Sequence, residues 1–392
     1  MSWPLVALKD CCTVVGGATP KREVEAYWDN QDIPWVTPKD ISKIKSIYFD
    51  DAPEYISQKG FDSCAAHKLP KGSLLLTSRA PIGNVAITTR ELCTNQGFKS
   101  LVPNENVDIK YLYFCMLYSA SRLDNEGNGA TFKEVSKKVV EAFKIPLPPL
   151  ETQKQIAAVL EKADQLRKDC QQMEQELNSL AQSVFIEMFG DPVTNPKGWE
   201  ISALDSIASV QLGKMLSSKS KQNVNPKKYL RNANIQWREV GIDDLLEMDF
   251  NEKEMKKFRL QRGDLLVCEG GEIGRCAIWN EQVQDCYYQK ALHRVRINPQ
   301  FLTSEYLQEY FFWMAKLGGL VNSTNEVTFK HLTAEKMNKL KVPLAPISKQ
   351  KEFSEIYTSI RSELNNNAEL MKEADAAFGA IMQKAFKGEL NL

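Results

Sequence analysis

Hydrophobic and polar positions follow one grammar along this chain, and the chain runs through that grammar twice. Short apolar runs such as "SLLLTS", "NVAIT", "DLLVCE" and "RCAIW", punctuated by Gly and Pro, predict strands. The stretches "IKYLYFCMLYSA" (109–120) and "SEYLQEYFFWMAK" (304–316) predict short helices. After each such mixed region the period changes to alternating steps of three and four. Ile156, Val159, Ala163, Leu166, Cys170, Met173, Leu177, Leu180 and Val184 keep that spacing, which predicts the a/d seam of a coiled coil. Phe353, Ile356, Ile360, Leu370, Ala374, Ala377 and Ile381 continue it in the second half. There Glu363 and Asn367 interrupt the stripe, unless Leu364 takes the seam position instead.

The repetition extends to the wording. "KIPLPPLETQK" (144–154) and "KVPLAPISKQK" (341–351) match without a gap, and so do "KGSLLLTSRAPIGNVAI" (71–87) and "RGDLLVCEGGEIGRCAI" (262–278). "TFK" recurs at 131–133 and 328–330, Trp3 with Leu8 as Trp199 with Leu204, and Gln182 with Phe185 as Gln383 with Phe386. Pro146, Pro148 and Pro149, like Pro343 and Pro346, cannot sit inside a helix, so each set ends a globular region and launches the helix after it.

The expected fold class is therefore α+β: two pseudo-symmetric mixed α/β domains separated by two long helices forming an antiparallel coiled coil. The expected spans are 1–148 and 191–346 for the domains, and 149–190 and 347–392 for the helices. A helix of about 36 residues is roughly 54 Å long. Two unlike heads held at a fixed separation about an approximate dyad suit duplex DNA, whose successive turns lie roughly 34–36 Å apart. That geometry predicts a split target with an unread spacer and two different half-sites.

Composition changes this picture little. Net charge is zero, and the four spans carry +1, −3, +3 and −1 in chain order, so charge alone supplies little affinity for DNA and a partner is expected to help. The nine cysteines include no C-x-x-C pair, which suits a reducing cytoplasm, and no secretory signal or apolar run long enough to cross a bilayer is expected. His67, His293 and His331 have no metal-ligand spacing. "GGEIG" (270–274) has the wrong spacing for a dinucleotide turn, "LGKM" (212–215) is half a P-loop, and no N/D-P-P-Y/F turn occurs. Asp249, Glu254 and Lys256 mimic a nuclease triad only loosely. The chain reads as a binding protein without chemistry of its own.

"YWDNQDIPWVTPKDI" (27–41), "SRAPIGNVAI" (78–87), "TNQGFKSLVP" (94–103) and "KIPLPPLETQKQI" (144–156) resemble the DNA specificity subunit of type I restriction-modification enzymes. "YLRNANIQ" (229–236), "GDLLVCEGGEIGRCAIW" (263–279) and "KVPLAPISKQKEF" (341–353) resemble that family's second target-recognition domain. The resemblance covers essentially the whole chain. It implies sequence-specific binding of double-stranded DNA at a bipartite, asymmetric target, and assembly with two methyltransferase subunits and two restriction subunits. It also implies that this chain binds no cofactor, S-adenosylmethionine belonging to the methyltransferase and ATP with magnesium to the restriction subunit. Rival readings are a specificity subunit of another methylation-based phage-defence system, a self-sufficient DNA-modifying enzyme and a protein-interaction scaffold.

Base readout needs Arg or Lys for guanine, Asn or Gln for adenine and carboxylates for cytosine, while phosphates take cations, hydroxyls and glycine-turn amides. In the first domain Thr19, Lys21, Arg22, Arg79, Gln96, Lys99, Thr131 and Lys133 are the candidates. In the second they are Lys214, Arg231, Asn232, Asn234, Glu269, Gln289, Lys290, Thr328 and Lys330. Arg79 is alternatively a buried structural arginine. Trp28, Trp35, Trp199, Trp237 and Trp279 are read as core residues rather than base-stacking platforms.

Overall fold

A computed structural model describes residues 3–44, 46–129, 133–217, 220, 222–320 and 332–390. The chain divides into two compact units, residues 1–171 with 369–392, and residues 172–368. Each unit holds one head with one half of each of two long helices, Leu150–Phe189 and Ile347–Lys387.

In the first head a five-stranded sheet runs in the order Cys12–Gly16, Lys99–Pro103, Leu74–Ser78, Ile82–Thr88, Tyr48–Phe49. A three-stranded sheet has Ile33–Val36 between antiparallel Glu54–Ile56 and parallel Cys93–Thr94. The second head repeats this plan with Ala208–Leu212, Leu292–Ile297, Leu265–Cys268 and Cys276–Ile278 in one sheet. Its smaller sheet has Pro226–Leu230 between antiparallel Leu246–Asp249 and parallel Tyr287–Tyr288. The runs read as strands and short helices in the sequence are these elements, with helices at Ile109–Tyr118 and Ser304–Lys316. Gly83 and Gly274, paired by the repeat, both have φ near +90°, at 93° and 81°. A Cβ there would also come within 2.9 Å of Ala120 Cβ and 2.3 Å of Leu320 Cδ1, so this turn needs glycine in both heads.

The repeated proline stretch is a joint, and its working residue is a glutamine. Gln153 is buried; its Oε1 accepts from the Asp108 amide at 2.9 Å, and its Nε2 donates to the Asn106 and Pro148 carbonyls at 3.0 and 2.8 Å. Gln350 does the same with the Thr303 amide and the Phe301 and Ala345 carbonyls, at 3.0, 2.9 and 2.8 Å. Each glutamine ties the first turn of a long helix to the loop before a short helix. A second tie comes from the head's first tryptophan. Trp3 Nε1 donates to the Ala385 carbonyl at 2.7 Å, and Trp199 Nε1 to the Phe189 carbonyl at 2.9 Å.

Within each unit the two long helices pack on each other, residues 150–171 with 369–387 in the first and 172–189 with 347–368 in the second, and about every other buried position is shifted by one from the predicted seam. In the first unit Ile156, Ala157 and Leu160 share a core with Phe378, Met382, Ala385 and Phe386, and Arg167 meets Asp375 at 2.6 Å and the Phe378 ring. In the second unit Phe185 and Phe189 pack on Phe353, with Ala181, Tyr357, Ile360 and Leu364 in the same core. Ile156, Phe353 and Ile360 are thus buried as expected, and Ala163 and Leu177 are half-buried. Val159, Leu166, Met173, Leu180, Ile356, Leu370 and Ala377 are corrections: all seven face outward. A strict three-four pattern leaves two neighbouring faces open to choice, and burying Tyr357, Phe378 and Phe185 removes more apolar area from water than burying Ile356, Ala377 and Leu180. Leu364 and Asn367 both lie buried in the second helix, where Glu363 does not.

Candidate nucleic-acid interface

In the first head three loops converge at one end of the large sheet. The Ser78 amide donates to the Gly97 carbonyl at 2.8 Å, and the Val135 amide to the Ser78 carbonyl at 3.0 Å. These bonds bring "SRAPIG", "NQGFK" and the segment after Lys133 together. The Ala18 amide donates to the Thr94 carbonyl at 2.9 Å, and the Thr19 hydroxyl donates to Gln96 Oε1. Thr19, Arg79, Gln96, Lys99 and Lys133 therefore share a corner. An open groove of about 520 Å³ beside it is lined by Arg79, Ala80, Pro81, Ile82, Asp124, Lys133 and Glu134.

Most cations of this head are already engaged. Lys99 Nζ lies 3.2 Å from Glu134 and donates to the Ser78 hydroxyl at 3.3 Å. Lys133 pairs with Asp124 at 2.7 Å. Arg22 pairs with Glu54 at 2.7 Å, and its guanidinium lies 3.8 Å from the Trp28 ring centroid and 4.8 Å from that of Trp35. Lys21 is exposed beside it. Arg79 is half-buried and makes no ion pair or hydrogen bond to the other described residues.

The corresponding loops of the second head also converge. The Gln289 amide donates to the Leu230 carbonyl at 3.0 Å, the Glu269 amide to the Ala291 carbonyl at 2.9 Å, and the Lys290 amide to the Lys214 carbonyl at 2.7 Å. Asn232 Nδ2 donates to the Gly270 carbonyl at 3.2 Å. Arg231, Asn232, Glu269, Gln289 and Lys290 thus line one region. Two candidates here are corrections. Lys214 is largely buried and donates to Glu254 and to the Asp249 carbonyl, both at 2.6 Å. Asn234 is buried, donating to the Gly241 carbonyl at 3.1 Å and Asp244 Oδ1 at 2.7 Å while its Oδ1 accepts from the Arg231 amide. Both hold loops together. Burial works to raise the Glu254 carboxyl, but the Lys214 ammonium and the Asn251 amide outweigh it and leave it below the usual carboxylate range. Glu254 is held by Lys214 and by the Asn251 amide, as part of the cap of the helix Glu252–Phe258. Thr131, Thr328 and Lys330 lie outside the described residues.

Sequence reasoning passed over Arg275, whose guanidinium donates to the Asn232 carbonyl at 3.2 Å between Glu272 and the asparagine loop. It sits one residue past the quoted "GGEIG", and the repeat alignment, which pairs it with Asn84, gave no reason to select it. Trp35 and Trp279 are fully buried, as the core reading expects. Among the described residues no group of three His, Cys, Asp or Glu side chains is placed to hold a metal ion. Burial pushes the Cys93, Cys115 and Cys286 thiols up to about 12, leaving them un-ionised at neutral pH. No helix among the described residues is long and apolar enough to cross a membrane.

The model of the type I restriction modification DNA specificity domain matches residues 2–179 and 196–372. The chain is 28% identical over 417 residues to the MjaIX type I restriction enzyme specificity subunit of Methanocaldococcus jannaschii, covering 100% of this chain and 94% of that one. It is 24% identical over 295 residues to the EcoKI specificity subunit of Escherichia coli K12, covering 69% and 62%. Its fold is similar to a crystal structure of the type I restriction-modification S subunit from M. genitalium, with TM-score 0.61, 12% identity and 98% and 96% of the two chains covered. A chain from a study of assembly and conformational transition in the type I R-M system gives TM-score 0.59 at 18% identity, with 99% and 98% covered. The chain belongs to the type I restriction-modification DNA specificity family, and as a specificity subunit it is not itself an enzyme.

Proposed function

We propose that this type I specificity subunit reads a bipartite, asymmetric DNA target with one half-site per head, and that its helices dock two methyltransferase subunits. The observation that carries the reading is a repeated scaffold bearing unrepeated side chains. Strand order, proline joint, buried glutamine and glycine turn recur in both heads, whereas the converging loops carry Arg79, Gln96 and Lys133 in one and Asn232, Glu269 and Gln289 in the other. A common scaffold with two sets of loop chemistry suits two different base sequences.

The outward seam residues support the docking. Val159, Leu166, Met173 and Leu180 recur every seven residues on the exposed side of the first long helix, and Ile356 and Leu370 lie two heptads apart on the second, with Glu363 between them. Aliphatic stripes at heptad spacing outside an already formed seam suit further helices packing alongside. Two like stripes, one per repeat, suit two copies of one partner. S-adenosylmethionine would then belong to that partner, and ATP with magnesium to a restriction subunit, both acting on DNA selected here, in the cytoplasm.

Methylome sequencing of cells with and without this chain tests the proposal. The expected result is loss of methylation at one two-part motif with an unread interior. An unchanged methylome would contradict it.

A further inference from the structure

We infer that Arg79 reads a guanine in the first half-site and sets that position of the target. The inference rests on the DNA-reading function proposed above and goes beyond it to a base.

Three observations carry it. First, Lys99, Lys133 and Arg22 each have a carboxylate partner, and among the described residues Arg79 has none. Second, it is held in place. It is half-buried at the loop convergence, with its Nε beside Gly97, where a Cβ would lie 3.3 Å from that nitrogen and 2.8 Å from Pro38 Cγ. The absent side chain at Gly97 leaves the room the arginine occupies. Third, the groove it lines also contains the carboxylates of Asp124 and Glu134. Both are already paired, Asp124 with Lys133 and Glu134 with Lys99, so the lysines beside Arg79 are less available to a phosphate than its own guanidinium is to a base edge. A fixed, unpaired guanidinium fork needs two adjacent acceptors, and in the major groove guanine O6 and N7 supply them side by side.

The second head explains why the preference belongs to one half-site. The repeat places Gly270 opposite Arg79, with the following residue in the left-handed region in both heads, φ 51° at Ala80 and 80° at Gly271. Glu269 and Glu272 flank that glycine. The same turn position therefore carries an arginine in one head and a glycine in the other.

The test uses the chain assembled with its methyltransferase subunits, as wild type, Arg79→Ala and Arg79→Lys, against duplexes varied one base at a time through the wild-type motif. Arg79→Lys keeps the charge and removes the fork. Both variants are expected to lose roughly tenfold to a hundredfold discrimination for guanine at one position of one half-site. The other positions, and the second half-site, should stay as in wild type. Unchanged discrimination at every position would overturn the inference. So would equal weakening on all duplexes with a shallower salt dependence, which marks a phosphate contact. A wild-type complex with no two-part preference would instead overturn the function on which the inference rests.

Discussion

Replacing Glu309 with alanine is expected to destabilise the second head by about 3–5 kcal/mol, the cost of breaking a buried ion pair from one side. Glu309 is fully buried on the helix Ser304–Lys316, and its two carboxylate oxygens each accept from Arg238 at 2.6 Å. The Arg238 side chain is only 9% exposed and lies 3.8 Å from the Phe312 ring centroid. Removing the carboxylate strands a largely buried guanidinium without its counter-charge. Replacing both members with apolar side chains of similar volume, Arg238→Met with Glu309→Leu, is expected to recover most of the loss. Hydrogen exchange reports each head separately. Protection should fall in peptides of 191–346 and hold in peptides of 1–148, and equal losses in the single and double variants would contradict the stranded-charge explanation.

The second large effect concerns the helices. Adding one heptad at the middle of each long helix keeps the seam in phase, because the observed burial at Phe353, Tyr357, Ile360, Leu364, Asn367, Ala374 and Phe378 repeats on a seven-residue period. Seven residues add about 10 Å of helix. If the helices set the distance between half-sites, the unread spacer of the methylated motif should lengthen by about three base pairs at 3.4 Å each. Adding two residues to one helix alone turns its seam by about 200°, to the wrong side, and should cost stability instead. An in-phase heptad that leaves the spacer unchanged would remove the helices as a ruler.

Much of the fold was legible because it is written twice. A gapless match such as 71–87 with 262–278 marks the strand pair and its glycine turn more firmly than either copy alone. The seam was half legible. Period placed it on the right helices, but period cannot choose between Ile356 and Tyr357, which flank the same face; that choice depends on which side chains the partner helix can cover. Gln153 and Gln350 stood in the quoted stretches, yet a glutamine in a polar helix start gives no sign of being buried with all its hydrogen bonds made. The site was legible as a set of loops and not as a set of roles. Lys214 and Arg79 look alike in sequence, and only the structure shows that Glu254 pairs with the first while no described carboxylate pairs with the second.

The division of labour between heads is tested most directly by exchange. Residues 1–148 are replaced with the same region of a relative that directs methylation to a different motif, and the methylated motif is sequenced in cells carrying the partner subunits. One half of the motif should change to the donor's while the other half and the spacer length stay as before. A motif altered in both halves, or in neither, would contradict one head per half-site.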